Sequence, residues 1–248
     1  MSGLGNLMVA LLGVVLLGGC DNCGPPPRTE IPELTAPRRS GEIVLDGHLG
    51  ETDWANAPVT ERFVRTMDGT PGEPVTTARV LWDDTHLYVA FEVADDYLHC
   101  TFEGHDAHLW EQDAVELMID PDGDGEGYFE LQVSPTGLVF DTRFDTVRQP
   151  APFGYPDWQS GLEAGIDLRG TANDDEADQG YTVELRIPFA SFGAGSDPAP
   201  VPTGGETWSV ALYLLDAQRN GQRGVGWSAP LVGDFHVPTR FGRVTFEH

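Results

Sequence analysis

Tyr181-Thr182-Val183-Glu184-Leu185-Arg186-Ile187 alternates apolar with polar residues and stops at Pro188. Successive side chains of an extended chain point to opposite faces. A period of two therefore marks a strand with one buried and one polar face, here ended by a residue that lacks the N–H a ladder needs. Leu87-Tyr88-Val89-Ala90-Phe91-Glu92-Val93 and Ala114-Val115-Glu116-Leu117-Met118-Ile119 read the same way. Weaker segments of this kind are Ile43–Leu45, Ala78–Trp82, Phe129–Val133, Leu138–Phe144, Leu162–Leu168, Ser209–Leu215 and Val244–Phe246. Helical periodicity is nearly absent, and the 30 Gly and 19 Pro fall between the apolar runs. About ten short strands at this spacing predict an all-β fold, a two-sheet antiparallel β-sandwich, over residues 42–248.

Charge excludes several functions. The chain has 248 residues, with 14 Lys+Arg against 40 Asp+Glu and a net charge of -26, which argues against nucleic-acid binding. All the basic residues are arginine, so no lysine is available for a Schiff base or a phosphate loop. The same charge disfavours acidic polysaccharides as ligands and favours neutral glycans or a basic protein partner.

Residues 1–19 read as an export signal: Leu4 to Leu17 is almost wholly apolar, although no Arg or Lys precedes it. Leu17-Gly18-Gly19-Cys20 resembles the bacterial lipobox, in which lipidation of the cysteine anchors the mature protein to a membrane. Residues 20–41 are Pro-rich and without periodicity, and are expected to form a tether. An exported setting permits Cys23 and Cys100 to pair but does not require it.

Several local motifs occur in one order: Leu45-Asp46-Gly47 with Asp53-Trp54, Ala78–Asp84 leading into Leu87-Tyr88-Val89, Leu109-Trp110-Glu111-Gln112-Asp113-Ala114-Val115-Glu116, and Pro238-Thr239-Arg240-Phe241-Gly242. The series resembles the family 9 carbohydrate-binding modules over nearly everything from Glu42 to His248. The resemblance implies a β-sandwich in which two aromatic rings grip a sugar, polar side chains bind its hydroxyls, and calcium ions hold the loops. Matched by motif, Trp110 is the first ring, Phe235 stands in place of a second-ring tryptophan, and Glu116 is a hydroxyl-binding carboxylate. Glu130 stands where sugar-binding members place an arginine.

Strand parity adds to this set. With Val115, Leu117 and Ile119 inward, Glu116 faces the other way, as do Glu130 and Gln132 if Phe129, Leu131 and Val133 are inward. If Phe140 and Phe144 are core, Asp141 and Arg143 join them. The expected ligand-binding set is thus Trp110, Glu116, Glu130, Gln132, Asp141, Arg143 and Phe235, and the alternative is a solvated sheet face.

Asp120-Pro121-Asp122-Gly123-Asp124-Gly125 places alternate carboxylates in a glycine-containing loop, a pattern suited to structural calcium. The twelfth position, Leu131, excludes an EF-hand, and Asp95 is the expected further ligand. The reading at this level is an exported, membrane-anchored module that binds a neutral saccharide without chemistry of its own. The alternatives are a surface adhesion or scaffold module with a protein partner, a haem-binding sandwich, for which no axial pair stands out among Met67, Met118 and the histidines, and a glycoside hydrolase.

Overall fold

The computed structural model describes residues 25–193 and 200–248. Twelve strands form in chain order: β1 (Glu33–Ala36), β2 (Val64–Arg65), β3 (Val75–Trp82), β4 (His86–Ala94), β5 (Ala114–Asp120) and β6 (Phe129–Val133), then β7 (Val139–Arg143), β8 (Glu163–Leu168), β9 (Tyr181–Pro188), β10 (Thr207–Gln218), β11 (Gly221–Gly226) and β12 (Gly242–Phe246). They make two sheets. An eight-stranded sheet runs β1-β12-β10-β5-β6-β7, with β11 on β10 and β2 on β11, and a four-stranded sheet runs β3-β4-β9-β8. The expected β-sandwich is present.

The inner faces meet where parity places them. Val115, Leu117 and Ile119 of β5 and Leu131 and Val133 of β6 share one buried core with Val89, Phe91 and Val93 of β4 and Val183, Leu185 and Ile187 of β9. An edge-to-face aromatic group also lies in this core: Trp208 has its ring centroid 5.1 Å from Phe246 and 5.5 Å from Phe189.

Three strands fall outside the sequence reading. β1 lies within the expected tether. It pairs in parallel with β12, Leu34 opposite Val244 and Ala36 opposite Phe246, and both Leu34 and Ala36 are buried. The folded unit therefore begins well before residue 42; Arg28 already donates its backbone N–H to Gly69 at 2.7 Å. β2 and β11 complete one end of the large sheet, and Ile43–Leu45 forms no strand. The signal segment 1–19, Cys20 and Cys23 lie outside the described residues, and Cys100 is buried.

The Leu45-Asp46-Gly47 and Asp53-Trp54 motifs act together. The buried Glu184 of β9 accepts from the indole N–H of Trp54 at 2.7 Å and from the backbone N–H groups of Gly47 (2.7 Å) and Asp46 (3.1 Å). Gly47 has φ +83° and lies against the Asp167 backbone, so a side chain there would be both strained and obstructed.

Candidate functional site

Every residue of β5 is buried, so its second face is covered as well. Backbone register explains what collects there. One row crosses four strands from Tyr213 of β10 to Glu116 of β5, Gln132 of β6 and Phe140 of β7, and Met118 and Glu130 lie opposite each other nearby on the same face. Loops rise over this row and enclose a cavity of about 420 Å³, within the size range of small-molecule sites.

The floor is polar. Glu116, Glu130 and Gln132 are 2%, 5% and 0% exposed, which rules out an ordinary solvated sheet face. The Gln132 amide nitrogen donates to Glu116 Oε2 and Glu130 Oε1, both at 2.7 Å. Glu116 Oε1 and Gln132 Oε1 are buried without a partner. Burial, together with the charge of Glu130, pushes the Glu116 carboxyl well above the usual range. Burial lifts Glu130 to about 7.

Behind the floor, the Tyr128 hydroxyl accepts from the Arg148 backbone N–H at 3.1 Å and lies 2.6 Å from His236 Nδ1. The Glu130 carboxyl, whose Oε2 faces Nε2 at 3.5 Å, favours a proton there, and the Tyr128 hydroxyl then donates to Nδ1. Burial and the neighbouring Arg148 lower His236 to about 4, so it is neutral.

The walls are aromatic. Trp110 sits in a short 3₁₀ turn, Leu109–Glu111, with its backbone carbonyl held by Gln222 Nε2 at 2.5 Å. Its ring stacks on His108 (centroids 4.3 Å apart) and meets Phe153 (5.2 Å) and Phe140 (5.1 Å). On the other side Phe235 lies against Tyr213, centroids 4.5 Å apart. Gly224 and Gly226 of β11 leave room for these rings: a Cβ at Gly224 would press on Phe235 and one at Gly226 on Tyr213.

The structure thus brings together Trp110, Glu116, Glu130, Gln132 and Phe235 of the expected ligand set. Asp141 and Arg143 are not among them. Register pairs Phe140 with Gln132 and Asp141 with Leu131, the reverse of the assumed parity, so Phe140 and Phe144 line the cavity. Asp141 is buried on the other face, where its carboxylate accepts the backbone N–H of Ser160 at 2.8 Å and its hydroxyl. Arg143 lies over the Tyr155 ring at 3.9 Å and pairs with Asp145. Sequence reasoning also missed His236, Tyr128, Phe153 and Tyr213, which reach the site through register or loop packing rather than local spacing.

Two carboxylate clusters bear on the metal expectation. Asp120, Asp122 and Asp124 do converge, but much of their oxygen capacity goes to the loop's own backbone: Asp120 accepts from Gly123 and Gly125, both at 2.9 Å, and Asp124 from Glu126 at 2.7 Å. Asp95 belongs elsewhere. It joins Asp113 and Asp216, ligand atoms all within 4.8 Å, at the start of β5. Asp120 closes the same strand, roughly 20 Å further on at about 3.3 Å per residue. Asp95, Asp113 and Asp216 are at most 2% exposed. Asp95 Oδ2 is buried without a partner, and so is the Tyr181 hydroxyl, whose ionisation is opposed by burial and by all three carboxylates. Asp113 accepts from the backbone N–H groups of His99 (2.6 Å) and Ala217 (2.5 Å) and Asp216 from Arg223 (2.6 Å), so the orphaned Asp95 oxygen is the feature of this all-oxygen cluster that fits a hard divalent cation.

A sandwich carrying a half-open, aromatic-walled pocket on the outer face of its larger sheet has the form of a small-ligand-binding module. Residues 45–248 match the model of the carbohydrate family 9 binding domain-like family, and the chain belongs to that family. It is 26% identical over 215 residues to endo-1,4-beta-xylanase A of Thermotoga maritima, covering 85% of this chain and 18% of that enzyme. It is 26% identical over 208 residues to exoglucanase XynX of Acetivibrio thermocellus, covering 82% and 16%. The chain spans less than a fifth of the length of these relatives. Among solved structures, a Bacteroides uniformis protein superposes with TM-score 0.71 at 16% identity, covering 88% of this chain and all of that one. A family 9 carbohydrate-binding module of Caldicellulosiruptor kristjanssonii, solved in complex with cellotriose, superposes at 0.60 and 18%, covering 87% and 93%.

Proposed function

We propose that the chain is an exported, lipid-anchored module that binds a saccharide carrying no negative charge, without catalysis, and that calcium stabilises its fold. The observation that carries the reading is the floor of Glu116, Gln132 and Glu130, buried between Trp110 and Phe235 yet left with unpartnered acceptor oxygens. Buried polar atoms without partners are costly, and a sugar whose polar substituents donate to these oxygens relieves that cost while its C–H faces pack on the rings. Cellotriose in the related module supports a pyranose-sized occupant.

Catalysis is disfavoured by the placement of the acids. Glycoside hydrolysis needs two carboxyls flanking the scissile bond, and Glu116 and Glu130 stand side by side on one sheet face, bonded to one amide. Calcium is assigned to Asp95, Asp113 and Asp216, which would hold it at the ends of β4, β5 and β10; its role there is to tie these strands together.

A glycan array probed with the full chain in calcium, beside Trp110→Ala, tests the reading. Binding to saccharides that drops at least tenfold in the variant, with the fold intact by circular dichroism, is the expected result. A folded parent that binds no saccharide, or a variant that binds equally well, overturns it.

A further inference from the structure

The floor of the pocket is rich in acceptors and poor in positive charge. Glu116 Oε1 and Gln132 Oε1 have no partner, and Glu130 Oε2 has only the distant N–H of a neutral imidazole, His236 Nε2 at 3.5 Å. Gln132 spends its amide nitrogen on both carboxylates, so it supplies hydrogen bonds but no charge. Two guanidinium groups line the cavity, and each serves a different acid. Arg148 forms a bidentate pair with Asp234 through Nε and Nη2, and Arg223 Nε binds Asp216 at 2.6 Å. Among the described residues, neither guanidinium hydrogen-bonds Glu116 or Glu130, and the charge of Arg148 nearby offsets only part of what burial costs the two acids.

A neutral hydroxyl is a poor match for this arrangement. Each one brings a single donor together with lone pairs that need donors in return, and the Gln132 amide nitrogen, already shared between the two acids, has no N–H left to give. An ammonium group brings three donors, no acceptor and a positive charge. Its three N–H groups answer three underused oxygens, and its charge favours the ionised form of the two acids, which burial and their closeness to each other otherwise oppose. The aromatic walls, Trp110 above all, favour a cation as well.

Resting on the saccharide reading above, we propose that the pocket selects an amino sugar, whose free ammonium group sits between Glu116 and Glu130 while the pyranose ring lies against Trp110. The two carboxylates together set this specificity.

Isothermal titration of the full chain in calcium tests it with β-1,4-linked trisaccharides that differ only at C2: cellotriose with a hydroxyl, its fully deacetylated amino counterpart with an ammonium, and tri-N-acetylchitotriose with an amide. Glucose and glucosamine, and galactose and galactosamine, serve as monosaccharide pairs. The expected result is at least tenfold tighter binding of the amine within a pair, with that ratio falling below about threefold in Glu130→Gln and in Glu116→Gln. These substitutions keep shape and hydrogen bonding, and their melting temperatures show that they fold. Equal or tighter binding of the neutral member overturns the amino-sugar assignment and leaves the saccharide reading standing. An amine preference that persists in both Gln variants overturns the placement at these carboxylates. Failure of a folded parent to bind any sugar overturns both readings.

Discussion

Glu130 shows how one residue carries both a cost and a use. In an unfolded chain its carboxyl titrates at about 4.3, whereas in the fold burial raises it to about 7. A folded state that holds the proton more tightly is favoured while the group is protonated. The contribution is therefore fully present below about pH 4 and is lost as pH rises through 7. Replacing the carboxyl by an amide removes the charge that burial opposes. Glu130→Gln is expected to melt about 6–15 °C above the parent at pH 8 and level with it below about pH 4, on the scale of about 3–4 kcal/mol for a chain of this size. Differential scanning calorimetry in saturating calcium checks this, and a pH-independent difference would count against it. Such a gain in stability at the expense of recognition is the usual signature of a binding residue.

At the level of elements, the sequence was most informative where one face of a strand is core. β4, β5, β6 and β9 follow their period-two patterns because Val, Leu, Ile and Phe alternate on the buried side. β7 was misread in parity: Val139-Phe140-Asp141-Thr142-Arg143 buries Phe140 in the pocket and Asp141 against Ser160, so polarity no longer marks the face. β11, Gly221–Gly226, has little apolar content to read; its glycines serve the aromatic rings packed over it. β1 was hidden by its neighbours Pro32 and Pro37, since four residues between prolines look like tether until β12 is seen beside them. The metal set was half legible for a related reason: Asp120, Asp122 and Asp124 are close in sequence, whereas Asp95, Asp113 and Asp216 meet only through strand order. Chelation is expected to lower the melting temperature by about 5–10 °C, the scale for losing a cation present at about a hundred times its Kd. Asp113→Asn should abolish the response and Asp122→Asn should keep it; the opposite pattern would return the site to the Asp120 loop. A pH-dependent sum of carboxylates does not mimic this outcome, because both variants are compared at one pH.

On the scale of the whole molecule, anchor and pocket lie at opposite edges of the argument. The pocket occupies the outer face over β10, β5, β6 and β7, whereas the chain enters the fold through β1 on the far edge of the same sheet. Cys20→Ser is expected to move the protein from the membrane fraction to the soluble fraction after cell lysis, measured by fractionation and immunoblot; retention in the membrane would sink the lipid-anchor proposal. If the proposed lipid anchor holds one end of the module and a fixed glycan the other, tension would reach the described chain at Arg28, bonded to Gly69, and then at β1. A pull directed along β1 would load the ladder from Glu33 to Ala36 in shear, so that its bonds share the force instead of opening one after another. Under that load the short strand between Pro32 and Pro37 would act as a mechanical clasp on the sandwich.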